Sequence, residues 1–335
     1  MINRAISELM GYHDLSDSLM QDVMEAIMSG KTPTTQIVSF LEALAKKGET
    51  VEELTAAAVV MRKYVTKINS QQKLILDTCG TGGDGKETFN ISTASAFVAS
   101  GAGITVAKHG NRAVSSCCGS ADILEFMGID INLGPDKIST CLEKAGIAFL
   151  YAANLHPAMK YAAEARRQIG KRTMFNLLGP LTNPAGATHQ IIGVYDPAKT
   201  EIIARVLANL GTVHALVVCS TDGLDEITTT AETVVSELRA GKISNYQINP
   251  RTYFIPMAEM RDLRATSLLE NQRIMLGVLQ GVRGAQRDIV VLNAAAAIYA
   301  ADKASSIEEG VRLATQSIDS GEALRKLELL KRYSI

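Results

Sequence analysis

Gly80-Thr81-Gly82-Gly83-Asp84-Gly85 is a run with almost no side-chain bulk, placed just behind the apolar stretch Leu74-Ile75-Leu76. Without Cβ atoms such a loop can take positive φ and turn its N–H groups toward one anion. Asn90-Ile91-Ser92-Thr93 follows and leads into an Ala-rich segment that reads as a helix. A helix start facing a Gly-rich loop is a phosphate site. Lys108-His109-Gly110-Asn111-Arg112 ends a second apolar run at 104–107, and Ser115, Ser116, Gly119 and Ser120 open the next helix. Three polar strand-end loops in one βαβα block imply a single polyanionic ligand.

Gly80, Gly82 and Gly85 also satisfy G-x-G-x-x-G, the dinucleotide fingerprint. Its context is wrong, because Lys86-Glu87-Thr88 separates the third glycine from any helix. The second strand also ends in Lys108 where a ribose-binding carboxylate belongs. Further along, Asp225-Glu226 closes the stretch Asp222-Gly223-Leu224-Asp225-Glu226 behind an apolar run at 214–219. Adjacent carboxylates repel, so a cation explains them best, and oxygen ligands suit magnesium better than zinc. The histidines (His13, His109, His156, His189, His214) form no metal-binding cluster, although His109 is placed to meet a substrate.

The elements that must hold these residues follow from periodicity. Residues 1–68 are expected to be helical throughout. Ser16 caps one helix, Thr32-Pro33 starts another that runs to Gly48, and Thr50 with Glu53 forms the capping box of a third. From Leu74 strand and helix alternate, with strands expected at 147–150, 191–194, 215–218 and 289–292. The result is an α/β fold: a small helical domain (1–68, completed by about 155–185) and a large domain (72–335) with a mainly parallel central sheet flanked by helices. The helix opened by His156-Pro157 has an Ala-rich face suited to packing on the N-terminal helices. Apolar residues make up 47% of the 335 and the net charge is −1, so bulk electrostatics gives no reason to expect nucleic acid. No apolar run is long enough to span a membrane, there is no signal-peptide pattern, and an odd five cysteines without zinc spacing suggest reduced thiols in a cytoplasm.

In this order and spacing, GTGGDG, NIST and KHGNR resemble the anthranilate phosphoribosyltransferase family of tryptophan biosynthesis, and the likeness covers essentially the whole chain. The resemblance implies transfer of the phosphoribosyl group of 5-phosphoribosyl 1-diphosphate (PRPP) to the amine of anthranilate, by a homodimer built through the helical domain. It implies that Gly80, Gly83, Asp84, Thr88, Asn90, Ile91, Ser92 and Thr93 hold the donor. Lys108, His109, Gly110, Asn111, Arg112, Ala113, Val114, Ser115, Ser116 and Ser120 would close over its phosphates. Gly80, Asn111 and Arg166 would position anthranilate, the arginine on the substrate carboxylate. Two magnesium ions would be held by Ser92, Asp225 and Glu226. The alternatives are a nucleoside phosphorylase of the same fold and a non-catalytic nucleotide- or nucleic-acid-binding relative.

One departure stands out. Many members carry Lys-Ser after the Ser-Ser of the phosphate loop, whereas this chain has Cys117-Cys118. Lys108, helped by Arg112, then becomes the cation on which donor binding is expected to lean. The cysteines are either reactive thiols beside a cationic loop or small buried ones.

Overall fold

The computed structural model describes residues 1–113 and 118–335. Four helices come first: Ile2–Met10, Asp17–Met28, Thr34–Lys47 and Val51–Tyr64. Ser16 accepts from the Leu19 N–H, and Thr50 with Glu53 closes the expected capping box. Phe40, Leu41, Met20 and Met24 are buried among these helices, together with Ala162 and Ala165 of a later helix, Lys160–Ile169. That later helix packs on Thr34–Lys47 and Asp17–Met28. Small side chains on its inner face allow the approach, and Gly30 is needed where the Tyr161 ring passes, since a Cβ there would lie 2.6 Å from the ring.

The sheet has the order β3-β2-β1-β4-β5-β6-β7. Strands β1 (Leu76–Gly80), β2 (Val106–Gly110), β3 (Ile147–Tyr151), β4 (His189–Gly193) and β5 (His214–Ser220) are parallel. β6 (Thr233–Arg239) and β7 (Lys242–Ile248) add an antiparallel hairpin. The chain leaves β1 to one side for β2 and β3, then returns to its other side for β4 and β5. The β1/β4 junction is therefore the switch point at which open α/β sheets bind ligands.

Two expectations need correction. Residues 289–292 are not a strand but part of the helix Ala285–Ala300. Nearly all of that helix is buried, so its apolar run carries no helical period, and a short run of this kind cannot be told from a strand. Strand β2 also starts and ends later than the apolar run at 104–107 suggests, so Lys108 and His109 lie inside it and not on the loop beyond.

Candidate active site

Gly80 and Gly193 face each other at the C-terminal ends of β1 and β4. A Cβ on Gly193 would sit 1.6 Å from the Asp225 carbonyl oxygen, and one on Gly80 would sit 2.9 Å from Asp225 Oδ2. These two glycines thus open the notch into which the turn after β5 folds. Once there, Asp225 Oδ2 accepts the Gly82 N–H at 2.9 Å and Glu226 Oε1 accepts the Ser92 N–H at 3.1 Å. Gly82, Gly83 and Gly85 have φ of 65°, 76° and 70°, the left-handed conformations expected of the loop. The carboxylate pair is thereby drawn onto both the Gly-rich loop and the first turn of the helix Ile91–Gly101.

Burial raises the proton affinity of both carboxyls, and the neighbouring charges of Asp84 (on Asp225) and Asp225 (on Glu226) raise it further. Lys108 lies beneath them, 3% exposed, donating to the Thr78 carbonyl and, at 3.2 Å, to Ser92 Oγ. Burial pulls its ammonium toward the neutral form, and Asp77 and Glu226 pull it back. Lys108 is therefore an internal counter-charge and not a cation closing over a ligand. Among the described residues no three His, Cys, Asp or Glu side chains form a ready-made metal cage. Hard oxygen donors with room for other ligands suit an ion that keeps waters and takes part of its shell from a phosphorylated substrate. The buried hydroxyls of Thr81 and Thr93 have no partner among the described residues, which leaves two polar atoms for a ligand.

On the β2 side Asp122 is the organiser; an acid at the third position of the helix that Gly119 caps is a local capping signal, though its reach to Ala113 is not. Its Oδ2 accepts the N–H groups of Ala113 and Gly119, both at 2.9 Å, so it holds the two ends of the phosphate loop together. Ser120 Oγ donates to the Asn111 carbonyl. Val114, Ser115, Ser116 and Cys117 lie outside the described residues. Arg112 pairs with Asp122 at 2.9 Å and Glu125 at 2.8 Å, which matches its charge within the protein. Asn90 donates to the carbonyl and Sγ of Cys118, a side chain 6% exposed, so this cysteine takes the buried alternative. The Thr88 segment is pinned by a bridge to Arg264.

Arg166, on the helix Lys160–Ile169, is half-buried with its guanidinium 5.8 Å from the Phe175 ring centroid. No carboxylate pairs with it among the described residues, and burial lowers its hold on the proton. Asn111 turns its Oδ1 onto the Arg112 N–H at 2.8 Å, and no hydrogen bond joins it to Arg166. Arg172 was not singled out by sequence, yet it stacks 3.9 Å over Tyr195 and donates to the Gly83 carbonyl. It ties the segment after the Arg166 helix to the Gly-rich loop.

His109 and His156 meet at 3.1 Å between their Nε2 atoms in a buried contact. The Gly179 carbonyl accepts from the His109 ring, leaving His156 to donate across the pair. Burial, with His156 adding to it, pushes His109 down to about 3, and burial pushes His156 down to about 4. Both rings are neutral in the fold but bind protons below about 6.5 when unfolded. The unfolded chain therefore takes up these two protons first, and the pair's contribution to stability falls as pH drops from about 6.5 toward 4. Each ring contributes a loss on the order of 3 kcal/mol by about pH 4, opposed by the Asp225 and Glu226 carboxyls that take up protons in the fold over the same range, so the pair is read in thermal unfolding from the difference between wild type and His156→Gln. A His156→Gln midpoint that runs parallel to the wild-type one from about pH 6.5 to 4 would contradict the buried pair.

With this geometry in place, comparison with known proteins is direct. Residues 72–324 match the family model described as glycosyl transferase family, a/b domain, and residues 3–65 match its helical bundle domain. The chain is 50% identical over 334 residues to an anthranilate phosphoribosyltransferase of Alkaliphilus metalliredigens, covering 100% of this chain and 98% of that protein. It superposes on the anthranilate phosphoribosyltransferase of Thermus thermophilus with a TM-score of 0.94 and 38% identity, covering 98% and 99% of the two chains. The Saccharomyces cerevisiae enzyme in complex with PRPP and Mg follows at a TM-score of 0.90 and 27% identity, covering 99% and 97%. Full-length identity of this order, on a fold that brings the Gly-rich loop, Ser92 and the Asp225-Glu226 pair to one switch point, makes the chain a member of the anthranilate phosphoribosyltransferase family.

Proposed function

We propose that this chain transfers the phosphoribosyl group of PRPP to the amine of anthranilate, releasing diphosphate and N-(5-phosphoribosyl)anthranilate in tryptophan biosynthesis. The observation that carries the reading is the docking of Asp225 and Glu226 onto the Gly-rich loop and the Ser92 N–H. A polyphosphate lying on those loops needs a cation beside it, and this half-buried acidic pair needs one too. In this reading Asp225, Glu226 and Ser92 hold two magnesium ions, which supply charge neutralisation to the leaving diphosphate. The amides from Gly80 to Asp84, with the hydroxyls of Ser92 and Thr93, orient the donor. An aromatic amine is already a competent nucleophile, so positioning and electrostatics suffice and no side chain acts as a strong base.

Arg166 takes the anthranilate carboxylate in this scheme, because a half-buried guanidinium without a protein carboxylate offers a fixed fork of donors. Residues 1–68, completed by 155–185, form the acceptor side and the surface of a homodimer, to which the exposed Met10 and Tyr12 contribute apolar area. Among the described residues no helix is long and apolar enough to cross a membrane, and Cys79, Cys141 and Cys219 are buried thiols, which supports a cytoplasmic setting.

The loss of anthranilate fluorescence with PRPP and magnesium, each omitted in turn, tests the activity. Arg166→Ala should raise the anthranilate KM by about 1.5–3 kcal/mol, roughly 10- to 150-fold, and leave PRPP affinity nearly unchanged. Equal loss for both substrates would assign Arg166 a structural role.

A further inference from the structure

The turn that carries Asp225 and Glu226 has no sheet partner of its own, because β5 ends at Ser220 and β6 begins at Thr233. Ile227, the next residue, is fully buried, so its N–H and C=O must find partners inside the protein. Both go to a single side chain. Asn293 Oδ1 accepts the Ile227 N–H at 2.9 Å, and Asn293 Nδ2 donates to the Ile227 carbonyl at 2.7 Å. The second amide hydrogen of Asn293 goes to Ile289 O in its own helix at 2.9 Å.

Asn293 is 2% exposed and interrupts an otherwise apolar run from Ile289 to Ile298. An amide at such a position costs free energy unless every polar atom is bonded, and leucine or alanine would pack there without that cost. Its presence is accounted for by what it holds. The same helix, Ala285–Ala300, also receives Ser95 Oγ on its Val290 carbonyl at 3.4 Å, which fixes the segment bearing Ser92. Asn293 and Ser95 line a small cavity with Thr78, Ser92 and Glu226, directly behind the carboxylates. One helix thus braces both halves of the Ser92–Glu226 contact from beneath.

We infer that Asn293 is a positioning residue for the cation site: by gripping both polar groups of Ile227 it sets the direction in which Asp225 and Glu226 point. The inference rests on the reading in which those carboxylates hold magnesium. Asn293 is buried behind the carboxylates with its amide taken up by Ile227 and Ile289, so its removal should act on metal affinity and spare anthranilate recognition.

The test uses the full-length chain with Asn293→Ala, Asn293→Ser and, as a packing control in the same helix, Leu292→Ala. Three quantities are measured: the magnesium concentration for half-maximal turnover, the anthranilate KM, and Mn2+ affinity by spin resonance with PRPP present. Loss of a group that orients metal ligands typically weakens metal affinity about 10- to 100-fold, and a rise of that size is expected in both metal readouts for the Asn293 variants. Anthranilate KM should stay within about twofold, whereas Leu292→Ala should lower the unfolding midpoint and leave metal affinity alone. Asn293→Ser keeps a hydroxyl in the vacated space and serves if Asn293→Ala does not fold. Unchanged metal affinity in whichever variant folds, or an equal shift in Leu292→Ala, overturns the inference. If the wild-type enzyme turns over fully in a chelator, the cation reading itself fails; if it needs magnesium and the Asn293 variants match it, only the role of Asn293 fails.

Discussion

Replacing Asp225 and Glu226 together by alanine is expected to abolish magnesium-dependent turnover, a loss of roughly 10³-fold or more, while the fold persists. Both carboxylates are half-buried side by side and near Asp84, an arrangement that disfavours their charged forms without a cation. Removing them takes away that repulsion. The N–H groups they leave differ in exposure: Gly82 is open to solvent, and Ser92 is half-buried at a helix start where water can replace the lost acceptor. The unfolding midpoint should therefore change little. Asp225→Asn and Glu226→Gln separate charge from shape, since each keeps an oxygen for the same N–H, and each should also lose most activity. Near-wild-type rates across a magnesium titration in the double variant would remove the cation site from Asp225 and Glu226.

That pair could be found from sequence because its signal is local, two adjacent carboxylates behind an apolar run. The same holds for Ser16, Thr50 and Glu53, whose capping bonds span three residues. The Gly-rich loop was legible because the lack of side chains is itself the functional property. What holds these parts together was not legible. Asp225 is 143 residues from Gly82, Asn293 is 66 from Ile227, and Arg172 is 89 from Gly83. Nothing near Asn293 in the chain announces a polar task, and its apolar neighbours suggested a strand at 289–292. Gly193 fell inside the strand expected at 191–194 with nothing to mark it, whereas in the fold the Asp225 carbonyl occupies the space of its missing Cβ. The β6–β7 hairpin escaped because Glu237, Arg239 and Asn245 break up its alternation, and its outer strand is largely exposed. In each case the determinant is a tertiary contact, which propensity and period do not encode.

Lys108 shows how a shift of three residues in a strand end, from 107 to Gly110, changes a residue's role. On a loop beyond residue 107 it would be a solvent-facing cation, and its removal would weaken donor binding and leave the fold intact. In β2 it is 3% exposed, bonded to the Thr78 carbonyl and Ser92 Oγ, with Asp77 and Glu226 as the nearby opposite charges. Lys108→Met removes the charge at nearly the same volume and leaves those carboxylates buried without it. Breaking a buried ion cluster from one side costs about 3–5 kcal/mol. For a chain of this size the unfolding midpoint should drop by roughly 5 °C or more. Ser92 and Glu226 would lose their shared anchor, so magnesium activation should weaken along with donor binding. Lys108→Arg should not rescue it, because a planar guanidinium does not fit where a compact ammonium fills a closed space between β1 and the first turn of the helix Ile91–Gly101. Thermal unfolding and PRPP calorimetry on the two variants decide the matter. A Lys108→Met protein as stable as wild type, weakened only in PRPP binding, would restore the lysine to a ligand-facing position and contradict the buried one.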